Sequence, residues 1–402
     1  MTLPLDGLRV LDLGQLLAAP FCTQMMASMG ADVIVVETKH RNATRILPPH
    51  ADGVEGPNTS AVFNLMNGNK RSCTINLDRP EGCDLMHRLL RTTDVLVDNF
   101  ATGVMEKLGL GYDAVRAIRP DIIMLSIGAF GRSGPLKDAV GLHSIVNAYS
   151  GLADVTGYPG GPPRLIGGSV PDPLSGAYAL FALLAAIRHR QITGEGQYID
   201  VAMYEATLSL IPEAVIDLSL NDRDPVRRGN HGSRNAPHAN YRCEGDDAWV
   251  AISVETDEEW RAFCAAAGRP QWQADPRFAT AAARQANEDV LDAMLAAWTS
   301  RLTPWQVTER LQAAGVMAGP VLNAAEVLAD RHLTERGFIV EIDHPIAGRR
   351  RQVGIPWLAD SLPTAEHRHA PLLGQHTREV VSGLLGLDDA AWDTLVAARV
   401  LE

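Results

Sequence analysis

Short apolar runs alternate with amphipathic stretches along the N-terminal third of the chain, and this alternation restricts the fold more than any other feature. Residues 8–13 (LRVLDL) read as a buried strand. Residues 20–29 follow as a helix with proline in its first turn and Gly30 as its C-cap, and residues 32–36 are the next apolar run. Two strands joined by a helix-length crossover pair in parallel, because an antiparallel pair would be joined by a tight turn. The theme repeats as strand 73–77, helix 80–91, strand 95–97, helix 114–118 and strand 122–126.

Repeated units of this kind predict an α/β chain whose large domain is a doubly wound, Rossmann-like, mostly parallel sheet. A helical layer is expected next, over 143–152, in a long apolar helix after Asp172-Pro173, and over 201–210 behind the short run 197–200. Residues 220–235 (LNDRDPVRRGNHGSRN) have no apolar period and read as a linker. Beyond it, a strand at 249–254 and helices at 257–267, 288–300 and 303–314 form a smaller α+β domain. The chain of 402 residues is long enough for two cores. The expected division is 1–224 for the first part of the large domain, 225–330 for the small one, and 331–402 for a return linker and the rest of the large domain. Strands at 338–342 and 351–355 and helices at 375–385 and 388–397 belong to that last part.

The net charge of −12 disfavours nucleic acid and anionic membrane as partners, so an anionic ligand must be gripped by local cations. No apolar stretch approaches the roughly 20 residues that span a bilayer, and the N-terminus lacks the pattern of a secretory signal; a cytoplasmic protein is expected. Five cysteines without a CxxC pair indicate reduced thiols rather than a disulfide framework. The histidine spacings suggest no metal site. GxGxxG, GxxxxGK[ST], HExxH and GxSxG are all missing, which argues against a nicotinamide or ATP enzyme; no permanently bound cofactor is expected.

The most informative segment is 160–176, GGPPRLIGGSVPDPLSG, which carries one acidic residue, Asp172, among glycines and prolines before a strongly apolar helix. One reading makes Asp172 the N-cap of that helix. The other makes it a ligand-accessible carboxylate able to attack an activated acyl group. The two are compatible.

Around this segment the chain resembles the family III CoA-transferases, which include formyl-CoA transferase and carnitine CoA-transferase, with alpha-methylacyl-CoA racemase as a cousin. The resemblance spans nearly the whole chain. It rests on Leu5-Asp6-Gly7-Leu8-Arg9-Val10-Leu11-Asp12, Gly30-Ala31-Asp32-Val33-Ile34-Val35-Val36-Glu37, Asn69-Lys70-Arg71-Ser72, Leu77-Asp78, Asp98-Asn99-Phe100 and Leu108-Gly109. It continues through Arg164, Gly167 and Asp172 to Arg228-Gly229-Asn230, Gly245-Asp246 and Pro371-Leu372-Leu373-Gly374-Gln375-His376-Thr377.

The resemblance implies a CoA-transferase that uses coenzyme A as a substrate. In it, Asp172 attacks the donor thioester, with succinyl-CoA the first candidate donor, and passes through an anhydride to an aspartyl-CoA thioester that a second carboxylic acid then resolves. Gly167 and Gly168 would allow close backbone approach to the reacting carbonyl. The resemblance places Lys39, Arg41, Arg71, Ala101 and Lys137 in the CoA site. The four cations, Lys39, Arg41, Arg71 and Lys137, fall at predicted strand ends, where open α/β sheets bind ligands. Gln15, Leu17, His143 and Arg234 fall at substrate-facing positions.

There are departures from the family pattern. A His and a Gln of formyl-CoA transferase fall at Gln15 and Leu17, which argues against formyl chemistry. Its glycine-rich loop is replaced by Ser233-Arg234-Asn235-Ala236-Pro237, which suggests a larger or carboxylate-bearing acid. Ala101 stands where the family has a phosphate-binding Arg. The racemase alternative needs a histidine base at Leu142, whereas the histidine here is His143; one residue along a helix turns a side chain by about 100°, so His143 is not expected to serve. A non-catalytic acyl-CoA-binding subunit is the remaining alternative. The resemblance further implies an interlocked homodimer, its chains threaded through linkers near 220–235 and 335–354. Arg349-Arg350-Arg351 read as a solvated turn.

Overall fold

The structure is a computed structural model that describes residues 2–39, 42–360 and 367–401. Its chain divides into two compact units. The first comprises Met1–Ala153, Leu165–Val215 and Arg331–Glu402, and the second Asp154–Arg164 and Ile216–Asp330.

The first unit is built on six strands, β1 (Arg9–Asp12), β2 (Asp32–Glu37), β3 (Arg71–Thr74), β4 (Val95–Asp98), β5 (Ile123–Gly128) and β6 (Tyr198–Ala202). Their order is β3-β2-β1-β4-β5-β6, and every neighbouring pair is parallel. Strands are added outward from β1 in one direction and from β4 in the other, so the winding reverses between β1 and β4. Such a reversal opens a crevice at the carboxyl ends of those strands, where ligands bind in open α/β sheets.

Alternate residues supply two cores, as a sheet covered on both faces requires. Val10, Val33, Val97 and Leu125 pack with the helices Ala18–Ser28 and Pro171–Thr193. Leu11, Ile34, Leu96 and Met124 pack on the other side with Pro80–Leu90 and the returning helix Thr377–Leu385. The return is pinned to β3, where Thr74 N donates to Thr377 Oγ1 at 3.0 Å and His376 N to the Ser72 carbonyl at 2.9 Å.

The third strand begins two residues before the apolar run that announced it. Lys70 and Arg71 look too polar for a core strand, but Asp12 neutralises the first and Asp32 the second. A second buried pair closes the same edge: Arg45 grips Glu37 through Nη2 at 2.7 Å, donates to the Pro371 carbonyl at 3.2 Å and lies over the Phe63 ring.

In the second unit, β7 (His238–Arg242), β8 (Trp249–Ser253) and β9 (Met317–Pro320) form an antiparallel sheet. Trp260, Phe263, Phe278 and Trp298 fill its core. The helices Asp257–Ala266 and Pro304–Ala313 start with capping boxes from Thr256 and Thr303, each worth about 1 kcal/mol. Neither β7 (HANYR) nor β9 (MAGP) has a run of strand-forming residues, so both escaped the sequence reading.

Back in the first unit, β10 (Ile339–His344) and β11 (Gly348–Val353) make a hairpin. Arg349-Arg350-Arg351 lies inside β11 rather than in a turn, Arg349 paired with Glu341 and Arg350 with Asp52. The cross-strand Glu341 and the nearby Asp52 make consecutive arginines compatible with a strand. No helix of the described residues is long and apolar enough to cross a membrane.

Candidate active site

The turn leaving β1 is tied down from three directions at the reversal of the sheet. Gly14 N donates to Asp12 Oδ1 at 2.8 Å, and Gln15 exchanges two hydrogen bonds with the side chain of Asn99, just beyond β4. Leu16 N donates to Thr44 Oγ1 at 2.7 Å, and Gln15 Oε1 accepts from Ala43 N. Leu16 sits at φ 62°, a conformation costly for a bulky side chain and held here by its flanking bonds. Beside this turn is a cavity of about 290 Å³, walled by Gln15, Thr38, Ile75, Asn76, Asp78 and Phe100 among others.

The helix Pro171–Thr193 approaches Ala18–Ser28 closely because Gly176 has no side chain; a Cβ there would lie 2.7 Å from the Ala18 carbonyl. Asp172 lies four residues earlier, on the same helical face as Gly176. It does not cap the helix. The cap position is Val170, and Asp172 is the second helical residue. The N-cap reading is therefore corrected: Pro171, not Pro173, opens the helix and carries Asp172 inside it.

Asp172 is 7% exposed, and its Oδ2 atom makes no hydrogen bond to any described residue. Burial pushes its pKa up to about 6; His143 is the principal charge acting the other way, its Nδ1 standing 3.9 Å from Oδ2. The displacement by one residue does not turn His143 out of the site. It is the first residue of the helix His143–Tyr149 and follows extended Leu142, so the rotation per helical residue does not apply.

The other expected residues fall into three groups. Gln15 and Leu17 lie on the turn itself, while Lys39 follows β2, Ala101 follows β4 and Lys137 follows β5, all beyond the carboxyl ends of the strands. Thr102 Oγ1 donates to the Lys137 carbonyl at 2.6 Å and joins the last two loops. Gly167 and Gly168 are exposed just before Asp172, Gly168 at φ 75°.

Arg71 is a correction: it opens β3 on the amino-terminal side of the sheet, where Asp32 holds its guanidinium through two bonds and Glu379 takes a third. A parallel strand has two unlike ends, and ligands gather at the other one. Arg234 is exposed in the second unit, and Arg41 lies outside the described residues. The sequence reading did not isolate Asn99 or Asp12 as positioning groups; both stood in the quoted motifs, but only their hydrogen bonds give them that role.

The family model for CoA-transferase family III matches residues 5–377. The succinyl-CoA–D-citramalate CoA-transferase of Chloroflexus aurantiacus is 34% identical, over 99% of this chain and 98% of its own length. The succinyl-CoA:mesaconate CoA-transferase of Haloarcula marismortui is 35% identical over 97% of each chain, and the formyl-CoA:oxalate CoA-transferase of Rhodopseudomonas palustris 32% identical over 97% and 95%. Among solved structures, a CAIB/BAIF family protein from Brucella suis superposes with a TM-score of 0.86 at 30% identity, covering 96% of this chain and all of the other.

Proposed function

The chain belongs to CoA-transferase family III and is a CoA-transferase, and on that premise we propose that Asp172 carries the acyl and CoA groups in turn. The supporting observation is the buried Asp172 carboxylate with an Oδ2 atom free of hydrogen bonds. A carboxylate in water is a poor nucleophile because its lone pairs are hydrogen-bonded; one already stripped of these bonds has less to lose on attack.

In the first step Asp172 attacks the thioester carbonyl of the donor, and the C–S bond breaks to give an aspartyl anhydride and CoA thiolate. The thiolate attacks the aspartyl carbonyl and expels the donor acid, leaving aspartyl-CoA. The acceptor carboxylate then displaces the thiolate to form a second anhydride. Attack of the thiolate on the acceptor acyl carbon releases acceptor-CoA and the Asp172 carboxylate. No water or external proton enters, and burial protects both anhydrides from hydrolysis. The backbone of Gly167 and Gly168 is suited to donate to the developing oxyanions.

In this reading CoA is held along the carboxyl edge of the sheet by Lys39, the loop of Ala101, and Lys137, with Gln15 and Leu17 facing the substrate acid and the cavity beside Gln15 accepting part of the ligand. Succinyl-CoA is the proposed donor, since relatives named for succinyl-CoA match the chain end to end. Arg234 is proposed as a cation for the carboxylate of the substrate acid. The helix Pro171–Thr193 exposes Tyr178, Phe181 and Ile192, a surface suited to burial in the proposed interlocked homodimer. A cytoplasmic setting suits five cysteines that are all free thiols.

The test is trapping. Incubation with succinyl-CoA and hydroxylamine should add a hydroxamate at Asp172, seen by peptide mass spectrometry, and Asp172→Ala should abolish transfer. Transfer surviving in that variant, or turnover with no modification at Asp172, would overturn the assignment.

A further inference from the structure

Lys70 is fully buried, and its ammonium lies near four oxygens: Thr23 Oγ1 at 2.8 Å, Asn67 Oδ1 at 2.9 Å, and Asp12 Oδ2 and the Pro20 carbonyl each at 3.0 Å. An ammonium has three protons, so one of them is shared. Two of these contacts straddle the turn at residues 14–17. On one side Asp12 uses its second oxygen to hold Gly14 N, while Thr23 Oγ1 donates to the first. On the other side Pro20 belongs to the first turn of the helix that begins at Ala18. A single ammonium thus anchors both ends of the turn that carries Gln15, the strained Leu16 and Leu17.

We propose that Lys70 is a positioning residue for CoA transfer, acting through Asp12 and the Pro20 carbonyl to hold the 14–17 turn in its ligand-binding shape; this rests on the transferase reading above. Lys70 itself touches no ligand, being sealed from solvent. Well-packed apolar residues could fill the same space at less desolvation cost, so the ion pair is better explained by the geometry it imposes than by stability. The turn packs closely against the helix it leads into, since a Cβ at Gly14 would lie 2.6 Å from Ala19 Cβ.

The test compares two charge-free double variants. Asp12→Leu with Lys70→Met removes the pair and the acceptor for Gly14 N; Asp12→Asn with Lys70→Met removes the charges but keeps an amide oxygen there. The first should fold, show at least tenfold faster amide hydrogen exchange over residues 14–17, and raise KM for succinyl-CoA at least tenfold while kcat falls less than threefold. The second should regain most of the loss in both readouts. A folded first variant with wild-type exchange and KM would overturn the proposal, as would faster exchange with KM unchanged. If that variant does not fold, Thr23→Val serves in its place, with a threefold rise in exchange and in KM expected and no change overturning the proposal. Were the wild-type protein inactive with every CoA ester, the transferase reading would fail, and the exchange data would still decide whether Lys70 holds the turn.

Discussion

His143 Nδ1 stands 3.9 Å from Asp172 Oδ2, close enough for charge interaction but too far for a hydrogen bond. The imidazole is therefore an electrostatic neighbour of the proposed nucleophile rather than a partner occupying its lone pair. A charged imidazolium favours the ionised carboxylate that attack requires, while burial works against it. The position of His143 at a helix start, following an extended residue, sets this balance.

Asp172 should cost the protein stability at neutral pH. Its folded pKa, pushed up to about 6, lies above that of the unfolded chain, so the folded state binds more protons between about pH 4 and pH 6. Stability from this group is present at low pH and is lost as pH rises through that window, by ~3 kcal/mol if the whole displacement counts. Asp172→Asn should flatten this slope and raise the melting temperature at pH 7 by about 2 °C or more. Calorimetry from pH 4 to pH 8 checks both, and an unchanged slope would count against the burial account.

Activity should follow the opposite limb. Because the carboxylate is the attacking form, kcat/KM for the acyl-CoA should climb as pH rises to about 6 and then level off. His143→Gln removes the charge that lowers the Asp172 pKa, so its inflection should move to higher pH. A pH–rate profile whose inflection ignores this substitution would remove His143 from the site.

Proton shuttling at an alpha carbon needs two acid/base groups flanking it, which His143 and Asp172 would supply in an epimerase. Transfer chemistry needs no such step, so a chiral 2-methylacyl-CoA in deuterated water should exchange its alpha proton no faster than the uncatalysed background. Rapid exchange that disappears in His143→Ala would instead establish an epimerase.

Gly176→Ala should damage the site from the packing side. The added methyl meets the Ala18 carbonyl at 2.7 Å and the Phe21 ring at 2.9 Å, and a backbone atom cannot swing away. Overpacking of this kind costs about 1–3 kcal/mol, offset in part by roughly 1 kcal/mol of better helix propensity. A net loss of stability in urea and a fall in kcat through displaced Asp172 are expected; a variant with wild-type kcat would show that this contact does not position the nucleophile.

The proposed homodimer makes a claim about concentration. Interlocked chains cannot separate as rigid bodies, so the mass from light scattering should stay that of a dimer down to nanomolar protein, with unfolding and dissociation coincident. A folded monomer at any dilution would refute the threaded arrangement.

The βαβ order, the mostly parallel sheet it implies and the Gly- and Pro-rich segment around Asp172 were legible in the sequence, because their signals are short-range. Strand and helix periods repeat within two to four residues, and proline and glycine act on their own backbone dihedrals. Partners were not legible. Lys70 and Asp12 are 58 positions apart, and nothing near Arg71 in sequence shows that Asp32 and Glu379 claim it at the other end of the sheet. Burial and charge pairing depend on what the whole chain brings alongside a residue. For this reason the sequence alone specified a carboxylate at position 172, and only the tertiary structure decided that it would be buried, free of hydrogen bonds at Oδ2 and raised in pKa beside His143.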